Sequence, residues 1–187
     1  FNWDNSINYN PPAKENLVIY VLLVRDFLNA HSYNSIADSI EYFKRLGINA
    51  IQLLPVMEFE GNISWGYNVS FFMAADKYYG SVNALKNLIE VCHKNGIAVI
   101  LDIAMNHSFG QNSQVQWYFN PSAGSFGQPT AQSPWFNEVA KHDFNVGYDY
   151  NHESKATAEF VKMVYQHWIK EFKIDGYRLD LSKGYTQ

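Results

Sequence analysis

The sequence predicts an α/β fold, the first four strands of a TIM (β/α)8 barrel with one long insertion after the third strand. Three observations carry this. Apolar runs of strand length alternate with stretches of helical period, the order of a parallel sheet joined by right-handed crossovers. The strand starts lie near residues 17, 48, 97 and 174, half the number that a closed barrel of ~250 residues needs. The segment after the first strand, VRDFLNAHSYNS, lacks the Gly-rich phosphate loop that an open doubly wound sheet would carry there.

Residues 17 to 24 (LVIYVLLV) form a continuous apolar run, as expected of a strand covered on both faces, and stop abruptly at Arg25 and Asp26. From Ser35 a helix follows, with Ile36, Ile40, Phe43 and Leu46 at helical spacing and Gly47 placed to end it in a left-handed conformation. The second strand is INAIQLLP, 48 to 55. Residues 56 to 80 show no sustained period and read as a loop. Ser81 is placed to cap the next helix, which carries Leu85, Leu88, Ile89 and Cys92 on one side and closes at Gly96. IAVILDI, 97 to 103, is the third strand, a helix runs from about 154 to 172, and IDGYRLDL, 174 to 181, is the fourth strand. The interval before that fourth strand is much the longest, so an insertion lies at about 109 to 152. Its Asn, Ser, Gly, Pro, Gln and Trp content suits a small lobe of its own.

The composition, 47% hydrophobic and 17% charged, is that of a globular domain, and a net charge of -4 without any long basic run excludes the concentrated positive field that nucleic acid requires. The lone cysteine, Cys92, rules out an internal disulfide and reads as core filling. No stretch approaches the ~20 apolar residues of a membrane span. The first ten residues, FNWDNSINYN, lack the form of a signal peptide; the compartment is not legible, and the lean is to an exported bacterial protein whose signal has been removed. Aromatic residues make up 17% of the chain and recur among Gly, Asn, Ser and Pro, which suits loop surfaces that stack flat apolar faces such as those of sugars.

Charges inside strands are the residues to explain. In IDGYRLDL the pleat puts Tyr177, Leu179 and Leu181 on one face and Gly176, Arg178 and Asp180 on the other. Asp180 then stands at the carboxyl end of a strand, where active sites of this architecture lie, with Arg178 two residues away to hold it ionised. A structural ion pair is the competing reading. The third strand repeats the pattern, with Asp102 facing inward and Asn106 and His107 at its carboxyl end. After the second strand, SWGYN offers Trp65 and Tyr67 either to stack on a ring or to pack the loop.

These segments resemble the α-amylase family, glycoside hydrolase family 13. VILDIAMNH resembles its first signature region through Asp102, Asn106 and His107, and DGYRLDLSKG resembles its second through Gly176, Arg178 and Asp180. GINAIQLLPV, WGYN, DKYYG and GYDYNH resemble further barrel and loop regions, and the pattern is closest to bacterial members that carry an extra domain before the barrel. The resemblance implies that residues 1–16 are linker from that domain and that 17–187 are the amino-terminal part of the catalytic barrel, with a domain B-like insertion at about 109–152.

The resemblance further implies a retaining glycoside hydrolase acting on α-glucans such as starch, glycogen and maltooligosaccharides. Asp180 would be the nucleophile and Arg178 its charge partner; His107 would bond sugar hydroxyls, Tyr67 would stack under the sugar beside Trp65, and Lys183 would contact the sugar beyond the scissile bond. The acid/base glutamate would lie after Gln187, since Asp175 is at the wrong end of its strand and Glu171 falls on the preceding helix. This length of chain is therefore expected to be inactive alone and, with open sheet edges, to self-associate. No cofactor is required. A calcium site from Asn106, Asp149 and the Gly184 carbonyl is a reading that stands beside plain loop hydrogen bonding; many members have a histidine in place of Gly184. Two rival functions share these residues: a transglycosylase or branching enzyme of the same family, and a non-catalytic carbohydrate-binding or scaffold half barrel.

Overall fold

The computed structural model describes residues 1–143 and 145–185. In chain order the elements are β1 (Ile19–Leu22), α1 (Val24–Phe27), α2 (Tyr33–Asp38), α3 (Ile40–Leu46), β2 (Ala50–Leu53), β3 (Met57–Phe59) and β4 (Val69–Ala75). There follow α4 (Val82–Lys94), β5 (Ala98–Ile103), β6 (His107–Ser108), α5 (Ser113–Trp117), β7 (Phe119–Asn120), β8 (Gln128–Pro129), β9 (Tyr148–Asp149), α6 (Lys155–Phe172) and β10 (Gly176–Leu179). The chain divides into two compact units. One holds residues 1–56, 75–102 and 167–178, the other 57–74, 103–166 and 179–187.

The first unit is built on the sheet β1-β2-β5-β10. β1 and β2 run parallel with Ile19 opposite Ala50, and β2 and β5 run parallel with Ala50 opposite Ala98. Parallel neighbours need a crossover, and each is helical here: α1 to α3, then α4, then α6. Ser81 caps α4 by accepting a hydrogen bond from the Ala84 amide at 3.1 Å, and Leu85, Leu88, Ile89 and Cys92 of that helix are all buried. Burial pushes the Cys92 thiol up to about 12, which makes it inert core filling.

Several expectations are corrected. The single helix read from Ser35 is two, broken at Ser39, because Ser32 caps the first by accepting from the Ser35 amide and Ser39 turns its own hydroxyl back onto the Ser35 carbonyl. Gly47 does end the second in the left-handed region, at φ 71°. β1 is not covered on both faces: Leu22 is buried, but Ile19 and Val21, on the other face, are open, Val21 at 57% exposure. Residues 1–16 lie against the first unit, with the Asp4 amide bonded to Glu90, Tyr9 stacked on His93 at 4.1 Å, and Lys173 over the Trp3 ring.

The second unit contains regular structure where a loop was expected. β3 and β4 pair as a two-stranded sheet within residues 56 to 80. Burial alternates along β3 and from Ser70 to Met73 of β4, the period of a half-buried strand that two glycine turns, Gly61 and Gly66, conceal in the sequence. β6 pairs antiparallel with β9, and β7 with β8. An aromatic core joins these pieces, with Tyr150 stacked on Phe136 at 4.3 Å and edge-on to Phe72 at 6.1 Å.

Candidate active site

In the first unit three polar side chains meet from three adjacent strands. Asp102 on β5 is 2% exposed, and both of its carboxylate oxygens accept hydrogen bonds from Arg178 Nη1 on β10, each at 3.1 Å. Gln52 on β2 donates from Nε2 to Asp102 Oδ2 at 3.2 Å. A carboxylate this buried keeps its charge only with such partners. Arg178 is thus bonded to Asp102 on β5, a partner that the sequence did not pair it with. Gln52 was missed, although a polar residue inside the apolar stretch AIQLL was a visible signal.

In the second unit Trp65, Tyr67, His107 and Asp180 line one cavity of about 240 Å³, with Val146 and Leu181 as apolar wall. That is below the ~300 Å³ at which pockets for drug-sized ligands begin, so it suits a single small ring. The loop bearing the two aromatic residues is held locally. Gly66 takes φ 90°, its amide donates to Ser64 Oγ at 2.9 Å, and Asn68 donates to the Glu60 carbonyl at 3.2 Å. Asp180 lies just past β10, where its amide donates to the Ile103 carbonyl at 2.9 Å.

His107 is buried with both ring nitrogens engaged, Nε2 on the Tyr67 carbonyl and Nδ1 on the Asn106 side chain, each at 3.0 Å. Burial lowers its pKa, so the neutral ring is favoured, and the hydrogen bond to Tyr67 together with the charges of Asp180 and Asp149 only partly oppose this. Because a carbonyl can only accept, Nε2 carries the proton. Nδ1 is then a lone pair facing Asn106 Oδ1, and Asn106 Nδ2 is the buried atom without a partner; exchanging the two amide atoms would make Nδ2 a donor to Nδ1. A sugar hydroxyl can reach Nε2 only by displacing the Tyr67 carbonyl.

The strand alternation assigned to 174–181 holds only as far as Leu179. β10 ends there, and Leu181 adopts φ 48°, so Asp180 and Leu181 line the same cavity instead of pointing apart. A bulky residue in the left-handed region is strained and uncommon, and nothing in the local sequence signals it.

A family model for the alpha amylase catalytic domain matches residues 31–187. The chain belongs to the α-amylase family. It is 29% identical over 181 residues to a malto-oligosyltrehalose trehalohydrolase of Saccharolobus solfataricus, covering 96% of this chain and 30% of that protein. It is 33% identical over 151 residues to a 1,4-alpha-glucan branching enzyme of Nitrosospira multiformis, covering 80% of this chain and 19% of the other. Among solved structures, a Salmonella typhimurium protein with a provisional alpha amylase name superposes with a TM-score of 0.83 at 22% identity, over 100% of this chain and 29% of its own; this likeness speaks for the fold alone. The chain thus spans about a third or less of these relatives.

Within this α-amylase family chain the remaining expected residues fall as follows. Lys183 is exposed on the 3₁₀ turn Ser182–Tyr185 and is not in the wall of the Asp180 cavity. Asp149, opposite His107 across β6 and β9, accepts from Asn137 Nδ2 at 2.7 Å and pairs with His142 Nε2 at 2.8 Å, so both carboxylate oxygens are occupied. Gly184 packs so closely on Asn106 that a Cβ there would lie 2.7 Å from the Asn106 Cβ. The histidine common at this position in the family would require Asn106 to move.

Proposed function

We propose that the protein containing this chain is a retaining glycoside hydrolase of α-glucans, with Asp180 as nucleophile. The observation that supports the reading is the grouping of Asp180, Tyr67, Trp65 and His107 around one ring-sized cavity. The Asp180 carboxylate attacks the anomeric carbon as the glycosidic C–O bond breaks, and the departing oxygen takes its proton from an acid outside these residues. Water then releases the sugar from Asp180. Tyr67 and Trp65 offer apolar faces for the ring to rest on. Neutral His107 ties the Tyr67 backbone to β6, and we assign it contact with sugar hydroxyls through exchange at Nε2. Arg178 contributes fixed positive charge, and Lys183 is assigned to the sugar beyond the scissile bond. The insertion at 109–152 is read as the domain B-like part of such an enzyme, and 1–16 as the approach from a preceding domain.

For calcium, Asn106 and Asp149 supply oxygen donors, although both Asp149 oxygens already accept a hydrogen bond, from Asn137 and from His142. The side-chain oxygens fall short of the six to eight that Ca²⁺ takes, and among the described residues no group of three His, Cys, Asp or Glu gathers for a metal.

The test is Asp180→Asn in the full-length protein. Release of reducing sugar from soluble starch is expected to fall by at least ~10³-fold; retained turnover would sink the nucleophile assignment. The likeness to a branching enzyme supports a second reading, transfer to a glucan hydroxyl instead of water. New branch points among the products, read by chromatography, would favour that one.

A further inference from the structure

The second unit holds a larger cavity, about 760 Å³, that shares no lining residue with the one at Asp180. We propose that it is a second carbohydrate site, taking a glucosyl segment of an α-glucan without cleaving it. The choice of an α-glucan rests on the function proposed above.

The chemistry of the walls points to a ligand with apolar faces and hydroxylated edges. Trp117 is 68% exposed and sits beside Trp135, ring centroids 5.6 Å apart and planes at 52°, so the two indoles form an open angle at the cavity edge. An indole left in water beside an apolar recess is a ready stacking platform for the C–H face of a sugar ring. Phe72, Phe160 and Met163 supply the apolar interior.

The polar groups then discriminate. Ser70, on β4, is only 4% exposed and lines the cavity, and its hydroxyl has no hydrogen-bond partner. Leaving a buried hydroxyl unsatisfied costs ~1–3 kcal/mol, a cost that a ligand hydroxyl removes. Gln114 also lines the cavity. Its Oε1 accepts from the Tyr150 hydroxyl at 3.0 Å, which fixes the amide and leaves its N–H₂ as a donor for an incoming oxygen. A purely apolar occupant, such as an acyl chain or an aliphatic peptide segment, would cover the indoles yet leave Ser70 and Gln114 unmet. A sugar answers both demands.

The test uses the full-length protein and two probes: β-cyclodextrin, followed by tryptophan fluorescence, and granular starch, followed by depletion of protein from solution in the cold. Trp117→Ala is expected to weaken both by roughly tenfold, the upper end of one stacked aromatic contact. Trp117→Phe should restore most of the loss, which separates the ring's contribution from any effect on folding. Turnover of maltotriose should stay near the wild-type rate. Asp180→Asn should stop turnover yet leave adsorption to granular starch intact. Unchanged affinity in Trp117→Ala, or a wild-type protein that binds neither probe, overturns the proposal. A protein that binds both probes through Trp117 but leaves maltotriose whole would overturn the reading of Asp180 and leave this site standing.

Discussion

Asp102 shows what single residues decide. Its carboxylate is buried and accepts hydrogen bonds from Gln52 on one neighbouring strand and Arg178 on the other. Arg178→Met would take a guanidinium away from that charge. Breaking a fully buried pair costs ~3–5 kcal/mol, and because the Arg178 side chain is 45% exposed the expected loss is smaller, about 2 kcal/mol. Adding Asp102→Asn to the same protein should recover part of it, since the buried charge is then gone. Urea unfolding of the two variants measures this, and additive losses would contradict it. LDIAMNH and DGYRLDLS carried the identity of these residues in plain view. What they did not carry was the pairing, because strand alternation assigns a side chain to a face and says nothing about which residue of the next strand stands opposite.

At the scale of elements, capping and period were read from local chemistry and held for α4, as did the bounds read for α6 and the run of the third strand. They failed for β3 and β4, where short strands between glycine turns give too few residues for a period to emerge. The β6–β9 pair is a sharper case, two residues on each strand, with Gly147 making the approach. Gly147 has φ 63°, and a Cβ there would lie 2.4 Å from the Ser108 carbonyl oxygen and 3.3 Å from the His107 ring. Gly147→Ala is expected to cost on the order of 2 kcal/mol, from strain at positive φ together with the displaced strand. It should also lower turnover, because His107 sits on β6, the strand that Gly147 approaches. Thermal unfolding and an activity assay on the same preparation check both, and a variant with wild-type values in each would show that β9 tolerates the shift.

The molecule as a whole should respond to acid before its carboxylates protonate. Burial lowers the pKa of His107 and of His152, whose Nε2 donates to the Met105 carbonyl at 2.9 Å. In the unfolded chain both rings return to an ordinary value near ~6.5. As pH falls below that value the unfolded chain takes up protons that the folded one refuses, so stability declines until the lowered folded values are passed; above it the contribution is complete and flat. The urea midpoint of the protein should therefore be lower at about pH 5 than at about pH 7.5. An equal or higher midpoint in acid would mean that these rings are not held neutral.

By itself the sequence determined the family, the parallel α/β order, the caps of the main helix, and the short roster of polar residues at the strand ends. These are local or periodic properties, written in side-chain type and spacing. Tertiary structure decided which of those residues meet. It gave Arg178 to Asp102, locked His107 between Asn106 and the Tyr67 carbonyl, turned Leu181 toward the same cavity as Asp180, and left β1 open on one face. The cavity at Trp117 and Ser70 belongs to this second class. Its walls come from β4, α5, α6 and the loop at Trp135, and the unmet hydroxyl of Ser70 exists only once those distant segments exclude water from around it.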